Sequence, residues 1–328
     1  MAEARAAPRS VGSAEGRRED LVADAAALYY QSRLDQQEIA RRMKVSRSTV
    51  SRMLSEALDT GIVEIRIRRP LALAEDVQRA LVSTFGLRDA LVLAAHGPAE
   101  ALLGRVGALA ARYVDGVLTD DDVLAISWGT SLRAVTDALE PRIPRTVEVV
   151  QMLGGACSRD PQVDGTELAR RLADLLGGRC RYLNAPLVVD SEEVASALLR
   201  QRGVRDTLAA AGQADVALVG IGALIPEVSS LLRAGYLSRR GLADIRRTGA
   251  VGDVCGHLFT AEGRLVESEF QRRVIAIAAA PLSRIPRVIG VAAGRRKAEA
   301  VLGALRCRLV NVLVTDEETA CAVLTLAS

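Results

Sequence analysis

The chain has 328 residues, 49% of them hydrophobic but only 3% aromatic, and a formal net charge of +3. That length holds about two domains, and a core of Ala, Val, Leu and Ile is the usual filling of an α/β fold. No apolar run reaches a membrane span before Arg, Asp or Glu interrupts it, and the N-terminus has no continuous apolar stretch of the secretory kind, so a cytoplasmic protein is expected.

The charge is unevenly spread. Residues 1–69 carry 13 Lys and Arg against 10 Asp and Glu, whereas the remainder carries 30 of each. A basic reader attached to a neutral body has this distribution. The cysteines Cys157, Cys180, Cys255, Cys307 and Cys321 are scattered and form no CxxC pair, and only His96 and His257 stand available to join them. Neither a metal site, a disulfide framework nor a cofactor is expected.

In chain order, residues 1–18 read as a disordered tail rich in Ala, Arg, Ser and Gly. A helix is predicted over Arg18–Ser32, with Leu21, Val22, Ala25, Leu28 and Tyr29 able to face the segment that follows. Residues 19–69 then read as a winged helix-turn-helix. Ile39, Ala40 and Met43 give a first helix one apolar face, and Val45 closes the turn. Ser46 is a natural N-cap, and Val50, Leu54 and Leu58 form the predicted buried stripe of a second helix. Its N-terminal turns present Arg47, Ser48, Thr49, Ser51 and Arg52, with Lys44 just before, as a recognition helix in a major groove requires. Between Ile39 and Ser55 lie five basic residues and no acidic one, which suits phosphate neutralisation. Gly61 ends the helix, and Ile62 to Ile67 alternates as a wing strand.

Residues 70–89 are expected to form a connector, an amphipathic helix over Leu71–Phe85 that ends at Gly86 and offers a candidate dimer contact. Residues 90–328 alternate short apolar strands with helices. Strands are predicted at Ala90–Ala94, Val123–Ser127, Val147–Met152, Arg181–Val189, Asp215–Ile221, Val274–Ala279, Val288–Ala292, Leu309–Thr315 and Ala322–Leu326. The intervening helices include Pro98–Leu118, Ser131–Leu139, Thr166–Leu176, Pro226–Ala234 and Lys297–Arg306, and Glu262-Gly263 marks a hairpin tip. The pattern predicts a doubly wound, mostly parallel sheet with helices on both faces.

In such a sheet a ligand lies beyond the carboxyl ends of the strands, where glycine-rich turns feed helix N-termini. Four turns qualify: Ile126–Leu132 (with Gly129, Thr130 and Ser131), Ala292–Lys297, Leu153-Gly154-Gly155 and Gly220-Ile221-Gly222. Backbone N–H groups and the helix dipole at the first two favour an anion, although glycine at a strand–helix junction also serves as turn chemistry alone. Asp253 supplies a carboxylate for sugar hydroxyls or, equally, a cap for its own turn.

These motifs, in order from the helix-turn-helix through ISWGTSL, QMLGG, GAVGD at Gly249–Asp253 and AAGRRKAEAVLGAL, resemble the SorC family of bacterial transcriptional regulators. The resemblance runs from about residue 19 to the C-terminus. It implies an effector domain similar to the glucosamine-6-phosphate deaminase/ribose-5-phosphate isomerase fold, without catalysis, that senses a phosphorylated sugar. It also implies a homotetramer on double-stranded operator DNA. Carried over by position, Gly129, Thr130 and Ser131 match the phosphate loop, Lys297 the phosphate-binding lysine, and Asp253 the carboxylate that holds sugar hydroxyls. Gly154 and Gly155 join the sugar-binding set. Some members place a basic residue where this chain has Leu153, so neither a bisphosphate nor a Schiff base is expected there. The rival reading is a sugar-phosphate isomerase or deaminase with a DNA-binding appendage, using Asp253 or Glu269 as general base.

Overall fold

The computed structural model describes residues 14–63, 71–141, 143–155 and 161–328. The chain divides into two compact units, Met1–Pro70 and Leu71–Ser328.

In the first unit α1 (Ala14–Ala26) runs into a wider turn at Ala27–Gln31, followed by α2 (Gln36–Met43) and α3 (Arg47–Asp59). Local chemistry sets each boundary. The Asp35 carboxylate accepts from the Gln37 and Glu38 N–H groups while Glu38 accepts from the Asp35 N–H, a reciprocal cap that starts α2. Lys44 then takes a left-handed conformation (φ 57°) that stops the helix, and Ser46 Oγ accepts from the Thr49 N–H to start α3. Val22, Ala25, Ile39, Ala40, Val50, Leu54 and Ala57 close the core. Burying a side chain of the size of Leu54 contributes about 1.5–3 kcal/mol.

Three expectations change here. Leu58 is exposed, and Ala57 takes its place, because the buried stripe advances by three residues rather than four at that turn. Leu21 and Tyr29 also face outward, Tyr29 lying edge-on to Tyr30. The first helix begins at Ala14, ahead of the expected Arg18, whose guanidinium forks onto the Glu56 carboxylate at 2.8 and 2.9 Å and ties that turn to α3. Residues 1–13 of the expected tail and Glu64–Ile67 of the expected wing lie outside the described residues, as does Cys157.

The second unit opens with α4 (Glu75–Phe85), β1 (Asp89–Leu93), α5 (Ala99–Val117), β2 (Val123–Ile126), α6 (Thr130–Ala138) and β3 (Glu148–Gln151). It continues through α7 (Gly165–Leu176), β4 (Arg179–Arg181), α8 (Glu192–Arg200), α9 (Arg202–Gly212), β5 (Val216–Gly220), β6 (Gly222–Ala223), α10 (Ser230–Arg233) and α11 (Arg239–Arg247). Next come β7 (Ala250–Val254), β8 (His257–Thr260), β9 (Leu265–Val266), α12 (Glu269–Arg272) and α13 (Ala279–Leu282). The last elements are β10 (Arg287–Val291), a single-turn 3-10 helix at Arg295–Lys297, α14 (Ala298–Arg306), β11 (Val312–Asp316) and α15 (Glu317–Ala327).

Seven strands form a parallel sheet in the order β1-β11-β10-β5-β2-β3-β4. Alternation along each strand divides the core. Val216 and Leu218 of β5 pack with α5, α6 and α7, while Ala217 and Val219 pack with α4, α9, α14 and α15. The α4 helix is part of this unit, with Leu81 fully buried in its core. A second, antiparallel sheet runs β6-β7-β8-β9, and its hairpin turns at Gly263 (φ +83°) as expected from Glu262-Gly263.

Three predicted strands are replaced. Ala322–Leu326 lies inside α15, whose start the Asp316 carboxylate caps and whose Thr319, Ala320 and Val323 are buried on one face. A short apolar run does not by itself separate strand from buried helix. Val274–Ala279 makes only single bridges, to Val188 and Leu153, before turning into α13. Of Arg181–Val189 only the first residue belongs to a strand, the rest following as bridged loop.

Candidate functional site

In the first unit the six residues predicted to touch DNA stand together at the turn and the opening of α3. Lys44, Arg47, Ser48, Ser51 and Arg52 are exposed and Thr49 is half-buried. The hydroxyls form a small network: Ser46 Oγ lies 2.8 Å from both Ser48 Oγ and Thr49 Oγ1. Arg47 lies at the opening of α3, where the helix dipole adds to its charge, as phosphate contact favours.

In the second unit the sheet itself decides which glycine turns meet. β10, β5 and β2 are neighbours, and chain connections leave β2 toward β3 on one side and return through β5 on the other. That is a topological switch point, where a crevice opens beyond the strand ends. Three of the four candidate turns therefore converge on one cleft, lined by Ser127 to Ser131, Gly220 to Gly222, Ser230, Leu231, Asp253, Cys255 and Lys297. The fourth does not. Gly154 and Gly155 follow β3, away from the cleft, and a Cβ at Gly154 would overlap the Pro186 carbonyl, so close backbone packing explains that glycine.

At the cleft, Gly129 takes φ 110°, a conformation that glycine adopts readily, and delivers the chain into α6. Ser131 is buried on the first turn, and Ser127 Oγ accepts from the Gly220 N–H at 3.3 Å, tying the turn after β2 to that after β5. Lys297 stands on the 3-10 turn ahead of α14, not within the helix, and its Nζ donates to the Ile221 carbonyl at 3.1 Å. Asp316 is fully buried and accepts from the Gly294 N–H at 2.7 Å, fixing the base of that turn. Asp253 lies within β7, paired with Gly222 across the small sheet, and its Oδ2 accepts from the Gly256 N–H at 3.3 Å.

Desolvation pushes the Asp253 carboxyl up to about 6, against the pull of the Gly256 N–H and Lys297. Desolvation likewise brings the Lys297 ammonium down to about 8, with the nearby Arg233 guanidinium adding to the effect and Asp253 opposing it. The cleft holds about 30 Å³, roughly the room of ordered water. Among the described residues no cluster of three or more His, Cys, Asp and Glu is placed to hold a metal ion, and no helix is long and apolar enough to cross a membrane.

The geometry has counterparts among known proteins. The sugar-binding domain family matches residues 70–325. The transcriptional regulator LsrR of Klebsiella pneumoniae subsp. pneumoniae is 35% identical over 315 residues, 94% of each chain. The deoxyribonucleoside regulator of Bacillus subtilis (strain 168) is 32% identical over 304 residues, covering 92% of this chain and 96% of its own. The full-length sorbitol operon regulator SorC of Klebsiella pneumoniae superposes with a TM-score of 0.71 at 28% identity, over 94% of this chain and 99% of that one. The chain belongs to the SorC family of sugar-binding transcriptional regulators.

Sequence reading missed three parts of this regulator's cleft: Ser230, Leu231 and Cys255. Ser230 and Leu231 sit on a single-turn helix far from every glycine motif, and no local pattern marks such a segment as a cleft wall. Arg233, at the end of that turn, donates to Ser230 Oγ at 3.2 Å. The rival base Glu269 is exposed at the start of α12 and does not line the cleft, and His257 instead makes a 2.8 Å hydrogen bond with the Ile277 carbonyl.

Proposed function

We propose that this regulator binds double-stranded operator DNA through α3 and adjusts its affinity in response to a phosphorylated sugar held in the cleft, acting in the cytoplasm as a homotetramer. The observation that carries the reading is the meeting of the Gly129–Ser131 turn, Lys297 and Asp253 in one cleft at the switch point. The α6 N-terminus with its hydroxyls, together with the ammonium, suits a phosphate. The carboxylate opposite suits sugar hydroxyls. No nicotinamide, flavin or metal is needed for this role.

A phosphate bound there takes the Lys297 ammonium over from the Ile221 carbonyl and releases the tie between the two turns. That exchange gives the two arrangements different affinities for ligand, which is what an effector needs to shift an equilibrium. The isomerase or deaminase reading retains a single group at the cleft with suitable basicity, Asp253, and the relatives carry the names of regulators. The sensor reading is therefore preferred.

The test is fluorescence anisotropy on DNA from upstream of the protein's own gene, titrating phosphorylated sugars beside their unphosphorylated parents at fixed salt. One phosphosugar changing operator affinity while its parent does not is the expected result. Turnover of any of them would move the chain to the enzyme reading.

A further inference from the structure

In a chain whose Lys and Arg total 43, just Lys44 and Lys297 are lysines. The unit Leu71–Ser328 therefore carries one lysine ammonium, and the element that presents it is weak. A 3-10 helix has poor hydrogen-bond geometry. This one runs for a single turn from Gly294, at φ 97°, with no side-chain cap, and the Lys297 N–H donates to the Gly294 carbonyl at 2.9 Å. A lysine stem is flexible, so such a turn does not by itself hold an ammonium at one place in a cleft.

Support comes from Asp316, at the end of β11, which does not line the cleft. Its fully buried carboxylate accepts from the Gly294 N–H at 2.7 Å, the Thr319 hydroxyl at 2.7 Å and the Thr319 N–H at 2.9 Å. Three short, charge-assisted bonds offset the desolvation of that charge. A helix cap does not require a buried carboxylate. Ser191, Ser229, Ser238 and Ser268 start α8, α10, α11 and α12 with a hydroxyl that accepts from the first turn of its own helix. Asp316 Oδ1 caps α15 in that way, but Oδ2 also crosses to a turn 22 residues earlier.

We infer that Asp316 is the positioning residue for Lys297: its carboxylate clamps the Gly294–Lys297 turn onto the first turn of α15 and so sets the ammonium at the cleft, against the Ile221 carbonyl. The clamp runs through main chain, from the Gly294 N–H to the Gly294 carbonyl to the Lys297 N–H, and acts on the ammonium through the turn. Its consequence for effector binding rests on the reading of the cleft given above, whereas the placement of the ammonium does not.

The test needs no ligand. Competitive acetylation of the full chain with acetic anhydride, read by mass spectrometry, titrates Lys297 beside exposed Lys44. In wild type Lys297 is expected to titrate at about 8. Asp316→Ser keeps a hydroxyl cap for α15 and is too short to reach Gly294. In it Lys297 is expected to rise toward the ordinary lysine value of about 10.4, as the loosened ammonium reaches water. Arg233 and Asp253, the charged groups that face Lys297, stay in place. Asp316→Asn keeps the volume and is expected to shift Lys297 in the same direction, because its amide nitrogen meets a donor when its oxygen caps Thr319. Thr319→Val leaves the Gly294 tie and is expected to titrate as wild type does. Circular dichroism confirms the fold of each variant. Unmoved Lys297 in a folded Asp316 variant overturns the proposal, and so does a Thr319→Val chain that shifts as far as those variants. Both Asp316 variants are also expected to bind the phosphosugar about tenfold or more weakly. If wild type binds no phosphosugar, the reading of the cleft falls and the titration still decides the role of Asp316.

Discussion

The Lys297 ammonium donates to the main-chain carbonyl of Ile221 at 3.1 Å, bridging the turns that follow β10 and β5. The bond holds the cleft small and keeps a partly desolvated cation next to the α6 N-terminus. A phosphate is a stronger acceptor for that ammonium than a neutral carbonyl, so an anionic ligand exchanges one partner for a better one.

Lys297→Ala is accordingly expected to remove ligand-induced thermal stabilisation while leaving the fold intact, since the lysine side chain makes no capping hydrogen bond to α14. Differential scanning fluorimetry with the phosphosugar found by titration reads this directly. Undiminished stabilisation would remove the lysine from the site.

The pH dependence has a definite sign. Lys297 is charged below about 8 and Asp253 above about 6, so effector affinity is expected to peak between those values and to fall on either side. On the acid side the second ionisation of the phosphate, near 6, adds to the fall. Stability runs the other way. The raised Asp253 pKa favours folding at low pH, a contribution lost as pH rises through about 6, whereas the lowered Lys297 pKa favours folding at high pH, a contribution lost as pH falls through about 8. The site binds best where its own charges cost the free protein most. Calorimetric titration across pH 5–9 checks the affinity profile, and a flat curve rejects the assignment of both groups.

Asp253→Asn keeps the shape of the side chain and removes its charge. At pH 8 the free protein is expected to gain about 1 kcal/mol, since a partly desolvated carboxylate is no longer buried charged, while the effector response weakens. A sensor loses response, whereas an enzyme loses turnover.

Gly222 leaves room for that carboxylate: a Cβ there would overlap the Asp253 side chain. Gly222→Ala is expected to push Asp253 aside and lower effector affinity by about tenfold or more, roughly the 1–2 kcal/mol of a displaced charged hydrogen-bonding group. Retention of full affinity would show that the carboxylate does not touch the sugar.

On the DNA side, Arg47→Ala and Arg52→Ala are each expected to weaken operator binding, by about 1–3 kcal/mol where the contact is to a base. Both side chains are exposed, so the melting temperature should hold. A loss confined to one base position identifies a base contact, and a uniform loss with a shallower salt dependence identifies a phosphate contact.

Much of this was legible along the chain. Ser46 and Gly86 mark helix ends through local hydrogen bonding or backbone conformation, and these depend on neighbours within a few residues, whereas the Asp35 cap of α2 was not read from the sequence. The continuous apolar run Val216–Val219 announced a strand covered on both faces. Leu58 and Ala322–Leu326 were misread because apolar periodicity over so few residues does not say which face the rest of the molecule will cover.

Residue order alone determined the two-part organisation expected here, the basic opening of α3 and the glycine turns after the strands, because each rests on short-range geometry or net charge. Only the tertiary structure decided which turns line one cleft. The sheet places β2, β5 and β10 side by side and leads β3 away, so Gly129, Gly222 and Lys297 meet while Gly154 and Gly155 pack against a loop. Strand order arises from how the whole core closes, and no local stretch carries that information. The same closure sets Ser230 beside the cleft and raises the Asp253 carboxyl toward neutrality, by taking water away from groups far apart in the chain.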